Sequence, residues 1–402
     1  MQNTVQDTQK PRQGFASLGL DIRQVLMLGV LVVVWIAFEI LTGGLFLSPV
    51  NLWNLSVQTA VVGITVGGMV LVIVARQIDL SVGSVLGFCA MIMALLQVSP
   101  PLGLGLSWVV ALILGLALGV LIGAFNGYWV AYWGVPAFVV TLAGLLIFRN
   151  ATFVVASGRT VAPMKQTFSL LGAGSIGAEA TWIVGLLGMA FIIYQALGNR
   201  RSRLKHRLPV RPLWAEWVVN GVLILFTLAF VLVMNAYTYP GTNIPRGIPI
   251  PVVITLVVLI FLAWMTRSTR FGRYVFAMGG NPEAARLAGI NVRRIMVQVF
   301  MLMGFLTALA AAVQAARLNA ATAGLGTNLE LSVIAAAVIG GTALAGGSGT
   351  IVGAALGALL TSSLQNGMVL MGIPTEWQNI VLGIVLLAAV FYNTVFLRNR
   401  RA

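Results

Sequence analysis

"LSVQTAVVGITVGGMVLVIVA", Leu55 to Ala75, contains no ionisable side chain and is followed at once by Arg76. Wound as an α-helix rising 1.5 Å per residue, a run of that length crosses a hydrocarbon layer of roughly 30 Å. Its apolar residues come unbroken rather than alternating, so it does not read as a strand of a membrane barrel. The rest of the chain repeats the pattern. Apolar runs cover 25–47, 55–75, 79–97, 104–125, 135–156, 180–198, 215–235, 250–266, 295–316, 329–345, 350–370 and 377–396. Of all 402 residues, 59% are hydrophobic and only 8% charged, against about 25% charged in soluble domains. Such a chain cannot cover a water-facing surface. The fold class that follows is all-α: a polytopic membrane helical bundle of about 10–12 transmembrane segments. The single cysteine, Cys89, lies inside an apolar run and reads as a buried, inert thiol.

A formal net charge of +15 raises the question of a nucleic-acid partner. Its distribution answers it. With the N-terminus in the cytoplasm and the runs alternating, Lys10, Arg12, Arg23, Arg76, Arg200, Arg201, Arg203, Lys205, Arg207, Arg211, Arg267, Arg270, Arg273, Arg286, Arg293, Arg294, Arg398, Arg400 and Arg401 all fall inside. Only Arg149, Arg159, Lys165, Arg246 and Arg317 do not. Basic residues held in cytoplasmic loops are the signature of membrane topology, so no nucleic acid is required. The expected layout is a cytoplasmic tail over 1–24, a transmembrane domain over 25–396 and a cytoplasmic tail over 397–402. Within the domain, 199–214 form a basic cytoplasmic loop and 267–294 a second cytoplasmic loop. The first run is too long, and lacks the cleavage flank, for a removable signal peptide, so it stays as an anchor.

The run 329–345 is short, rich in Ala and Gly, and leads into "GGTALAGGSGT" (Gly340–Thr350). A re-entrant or broken helix is one reading of it, since irregular backbone survives at depth only where protein or water covers it. With 45 glycines in the chain, close helix packing is expected, and Gly115–Gly119–Gly123 and Gly353–Gly357 have the spacing for it. A short internal echo also stands out. "DLSVGS" (Asp79–Ser84) resembles "ELSVIA" (Glu330–Ala335). Each is followed by Asn-Gly (Asn126–Gly127, Asn366–Gly367) and then by Gly-Val-Pro (Gly134–Pro136) or Gly-Ile-Pro (Gly372–Pro374). On the alternating map the copies start from opposite sides, which makes them an inverted repeat of the kind transporters use.

Enzyme chemistry finds little support. The only histidine, His206, sits in the arginine-rich loop, and no His/Cys/Asp cluster has metal-ligand spacing. A phosphate-cradling loop needs Gly-Lys-Ser or Gly-Lys-Thr, but the three lysines follow Gln9, Met164 and Leu204. The chain therefore carries no nucleotide site of that kind, and no cofactor is expected. Ionisable groups within or beside the runs are few. Asp79 and Glu330 stand at run starts, where a carboxylate caps a helix and meets the positive end of its dipole. Glu39, in the first run, is a functional candidate by its depth, and a packing role fits it equally.

One polar stretch breaks the pattern: "GGNPEAARLAGIN", Gly279 to Asn291. Asn281 suits an N-cap, Pro282 the first helical position, Glu283 the dipole, and Gly289 the stop after Ala284, Ala285 and Arg286. The stretch predicts one short cytoplasmic helix of roughly 10 Å. A helix of that length does not stand alone in water, so it packs on its own loops or on a partner.

"EAARLAG" (Glu283–Gly289) resembles the cytoplasmic coupling motif of permease subunits in ATP-binding-cassette importers. The longer "GRYVFAMGGNPEAARLAGINV" (Gly272–Val292) is similar to the version in monosaccharide permeases of the ribose, galactose and xylose group. "IDLSVGS" (Ile78–Ser84), "GAFNGYWVAYWGVPAFVVTLAGLLIFR" (Gly123–Arg149) and "VIGGTALAGGSGTIVGAALGALL" (Val338–Leu360) resemble the same group. The similarity runs in order from about residue 50 to the end, and is greatest to the D-xylose type, which shares the extra segment at about 180–235. Two departures stand out. Trp133–Gly134 occupies a place where that type tends to carry a basic residue before Val-Pro. Arg76–Gln77 precedes Ile78 where an acidic residue is common.

The resemblance implies a multi-pass protein of the bacterial inner membrane. Two permease copies form a homodimeric pore in the lipid bilayer, ATP-binding-cassette ATPase subunits drive it, and a periplasmic sugar-binding protein delivers the monosaccharide. Gly279, Gly280, Asn281, Pro282, Glu283, Ala284, Ala285, Arg286 and Gly289 then form the part the ATPase grips. A neutral sugar wants hydroxyl partners and flat apolar faces. Asn126, Arg149, Asn150, Gln314, Asn319, Asn328, Gln365, Asn366 and Trp377 are the candidates for its path, and each could equally tie helices together. Besides the importer, an ion-coupled secondary sugar transporter and a passive channel remain as alternatives.

Overall fold

The computed structural model of the chain describes residues 22–206, 210 and 212–398, with the side chains of 22–24 and 392–398 excepted. The expected tail before residue 22, the end after 398 and residues 207–209 and 211 of the basic loop lie outside them. So do Lys10, Arg12, Arg207, Arg211, Arg400 and Arg401. The described residues form the helices α1 (Ile22–Leu41), α2 (Pro49–Val74), α3 (Val82–Gln97), α4 (Trp108–Tyr132), α5 (Ala137–Ala156), α6 (Gln166–Ala173), α7 (Gly177–Lys205), α8 (Leu213–Ala236), α9 (Ile250–Ser268), α10 (Arg270–Gly280), α11 (Pro282–Leu287), α12 (Val292–Leu318), α13 (Leu329–Ile339), α14 (Ile351–Leu370) and α15 (Thr375–Arg398). Every apolar run falls on one of them. The helices α2, α4, α5, α7, α8, α9 and α12 are long and apolar enough to cross a membrane, whereas α3, α13 and the apolar parts of α1 and α15 are shorter.

The chain divides into two compact units. One is built on Gly177–Gly247, the α7–α8 hairpin. Gly185 makes room there for Val231, Arg200 pairs with Glu216 at 2.7 Å, and Arg246 stacks on Tyr237 and Tyr239 at 4.9 and 4.8 Å. The other unit holds Met27–Ile176 and the chain from Ile248 on. Its centre is α2, with 89% of its apolar window buried, and α12, with 67%. Lipid tails are as apolar as leucine, so helices in a membrane associate through close van der Waals packing. The four-residue glycine spacing serves that end. A side chain at Gly119 would strike the Gly304 carbonyl on α12, and one at Gly123 the Phe300 carbonyl. Gly353 and Gly357 bring α14 onto the Gly340 and Ala336 carbonyls in the same way.

Contacts between loops in this unit fall into two sets. Loops assigned outside meet one another: Val161 bridges Ala321, Ser175 bridges Pro249, and Lys165 Nζ donates to the Gly105 carbonyl at 3.0 Å. Segments assigned inside also meet: Arg76 reaches Gly279 and Gly280, and the Gly347 amide donates to the Val74 carbonyl at 2.9 Å.

The echoing segments begin two short helices, α3 with 16 residues and α13 with 11. At 1.5 Å per residue these are about 24 and 16 Å long, short of a full crossing. Their starts face each other: a side chain at Gly83 would strike both Glu330 and the Gly326 carbonyl, and one at Gly326 would strike the Gly83 carbonyl. The α3 start follows the end of α2, and the α13 start follows the end of α12. After Ile339 the chain leaves the helix for the glycine-rich loop to Thr350.

One expectation needs correction. Glu39 is not deep in a span: α1 stops at Leu41 because Gly43 and Gly44 take positive φ (65° and 92°), and Glu39 Oε2 accepts the Leu47 amide at 2.7 Å, pinning the following loop. The short polar helix forms as expected, as α11 with Asn281 as its N-cap, and a further helix, α10, precedes it.

Candidate functional site

The polar stretch around Asn281 is built by consecutive caps. Thr269 opens α10 by accepting from the Gly272 amide. Asn281, extended at φ −148°, ends α10 and starts α11 in one residue; its Oδ1 accepts from the Glu283 and Ala284 amides at 3.1 and 3.0 Å. Pro282 sits in the first turn of α11, where its missing N–H costs nothing. Gly289 takes φ 81°, which a side chain would strain, and Asn291 then caps α12 through the Arg294 amide. Only Ala285 of α11 is buried. Glu283, Ala284, Arg286 and Leu287 point outward, and Leu287 is 91% exposed. Gly279, by contrast, is buried against α2: a side chain there would strike the Val74 carbonyl.

A second polar group lies where α3 and α13 meet. Asp79 and Glu330 are 5% and 4% exposed. Neither caps its helix as the sequence suggested. The N-cap of α3 is Ser81, and Asp79 Oδ1 accepts from the Ser81 amide at 2.8 Å and hydroxyl at 2.6 Å, an Asx-type turn ahead of the helix. The N-cap of α13 is Asn328, at φ 62°, and Glu330 sits in the first turn with its carboxylate 3.8 Å from the Arg149 guanidinium. Capping depends on the backbone angle one or two residues away, which spacing alone does not give. Asn126 Nδ2 reaches Ser81 Oγ at 3.3 Å, tying α4 to this turn.

The nine path candidates separate. Asn126 and Arg149 belong to this group. Gln365 donates to Ser332 Oγ at 3.0 Å, bracing α14 on α13, and Asn366 accepts from Asn51 at 2.9 Å. Asn319 and Asn328 hold left-handed positions at helix ends, Asn319 also accepting from the Met164 amide and Ser169 Oγ. Asn150 donates back to the Leu146 carbonyl, and Trp377 is 61% exposed on the first turn of α15. Gln314 Oε1 and Glu330 Oε2 are buried without a hydrogen-bond partner among the described residues. Sequence reasoning missed Ser81, Ser332 and Asn51, small polar residues that carry no signal until their partners are known.

Residues 51–390 match the family described as branched-chain amino acid transport system / permease component. The chain is 40% identical over 387 residues to the xylose transport system permease protein XylH of Escherichia coli, covering 95% of this chain and 94% of that one. It is 39% identical to the Haemophilus influenzae XylH (94% and 98% covered) and 34% identical to the E. coli ribose import permease protein RbsC (86% and 86%). No solved structure matches it. With a profile match over most of its length, and relatives of this identity covered almost end to end, the chain belongs to the family of transport-system permease components.

Proposed function

We propose that this chain is the membrane-spanning subunit of an ATP-binding-cassette importer, passing a monosaccharide inward across the bacterial inner membrane. D-xylose is the sugar its relatives' names favour; the family title mentions amino acids, but the curated relatives at 40 and 39% identity are xylose permeases. The observation that carries the reading is α11. A capped, polar helix presents Glu283, Arg286 and a fully exposed Leu287 from an otherwise apolar chain. A short polar helix is not stable by itself and gains its stability from what it packs against. The occupant is the cassette ATPase, which supplies the nucleotide site this sequence lacks. A periplasmic binding protein delivers the sugar, and a second copy completes the pore. Along the path, Gln314 and Glu330 offer unpaired acceptor oxygens that sugar hydroxyls can engage.

Reconstitution tests it. Proteoliposomes holding the chain with its ATPase and binding protein should accumulate xylose when ATP is supplied. The chain alone should accumulate none under a proton or sodium gradient. Concentrative uptake by the chain alone would establish the ion-coupled alternative, which the position of Glu39 at a loop already disfavours.

A further inference from the structure

Arg76 is an unusual residue in an unusual place. It follows α2 with φ 63°, its amide donates to the Ile73 carbonyl at 2.8 Å, and the Gln77 amide donates to the Val72 carbonyl at 3.0 Å. These two bonds form the Schellman helix ending, in which the left-handed position normally goes to glycine because a side chain there is strained. Helix termination therefore does not explain the arginine. Its side chain does something else. Nε donates to the Gly279 carbonyl and Nη2 to the Gly280 carbonyl, both at 2.6 Å. Those carbonyls belong to the last turn of α10, left without helical partners and at the negative end of its dipole, so a cation with a planar fork suits them well.

The junction is wider than one side chain. Gly279 packs against the Val74 carbonyl so closely that no side chain fits. The same carbonyl accepts from the Gly347 amide at 2.9 Å, and Gly346 lies against the Arg76 side chain. The end of α2, the end of α10 and the loop from α13 to α14 are thus fastened at one point. One residue further along, Asn281 starts α11. The Arg76 fork hydrogen-bonds the end of α10, next to α11, to the end of α2, the most buried span, whose Val74 carbonyl in turn holds the loop between α13 and α14. A cavity of about 200 Å³ lined by Thr266, Arg267, Phe276 and Thr350 adjoins α10.

We propose that Arg76 is the positioning residue that transmits movement of the α11 coupling helix to α2 and the α13–α14 loop. The proposal rests on the reading of α11 as the ATPase contact. Arg76→Gly is the informative variant: glycine takes φ 63° without strain, so the helix ending survives while the fork is lost. The complex with its ATPase and xylose-binding protein is reconstituted in proteoliposomes, and xylose moved per ATP hydrolysed is measured for wild type, Arg76→Gly, Arg76→Lys and Glu283→Lys. Arg76→Gly should bind the ATPase and unfold at the wild-type temperature, yet move about tenfold less sugar per ATP, in the range of ordinary coupling energies. Arg76→Lys, able to reach one carbonyl, should recover part of the loss. A wild-type ratio in Arg76→Gly overturns the proposal, and so does loss of ATPase binding, since Arg76 would then only shape the docking surface. If Glu283→Lys keeps both ATPase and uptake, the underlying reading of α11 fails instead.

Discussion

At the residue scale, the interior is governed by what cannot be added. Gly123 has the Phe300 carbonyl where its side chain would be, whereas Gly198 on α7 faces open space. Overpacking a close contact costs typically about 1–3 kcal/mol. Gly123→Val should therefore lower the unfolding temperature in detergent clearly, and Gly198→Val should not; equal shifts would contradict the packing described for α4 and α12. Asn281 is governed by what it supplies. Asn281→Ala removes both bonds to the α11 amides and costs about 1 kcal/mol, as the loss of a helix cap does. Hydrogen exchange should quicken at Glu283 and Ala284 while the amides of α2 remain protected; unchanged exchange at those two positions would show that the cap is dispensable.

At the element scale, the α7–α8 hairpin is an insertion whose ends already meet. The Ile176 amide donates to the Ile248 carbonyl at 3.0 Å, and Ser175 bridges Pro249. Replacing 177–247 by a short Gly-Ser link should leave a chain that inserts and elutes as a single species; a degraded or aggregated product would show that the hairpin is needed for assembly. The apolar runs gave the helices because membrane burial requires unbroken apolar stretches, and hydropathy reads that requirement directly. The run at 25–47 misled over Glu39 because Leu45, Phe46 and Leu47 continue the apolar character past the Gly43–Gly44 break. The helix α11 was legible because its stop and start signals are local. Its neighbour α10 was not, since "RFGRYVFAMGG" mixes arginines with aromatics and is too short for a span, although Thr269 ahead of it supplies an N-cap. The contact between α3 and α13 joins residues far apart in sequence, and the short echo hinted at a shared origin without giving their meeting point.

At the scale of the whole molecule, the arginine distribution sets the expected side of each loop. In a Cys89→Ser background, a cysteine at Arg203 should resist an impermeant thiol reagent in intact cells, and one at Arg159 should react; the reverse pattern would invert the map. The central claim is that this membrane body is driven from outside itself through α11. The most direct measurement is the initial rate of ATP-driven xylose uptake by the reconstituted importer carrying Glu283→Lys, beside the wild type. The reversed charge sits on an exposed position in the first turn of α11. The account predicts an inserted protein of normal thermal stability whose uptake falls to background. Full ATP-driven uptake by Glu283→Lys would contradict it.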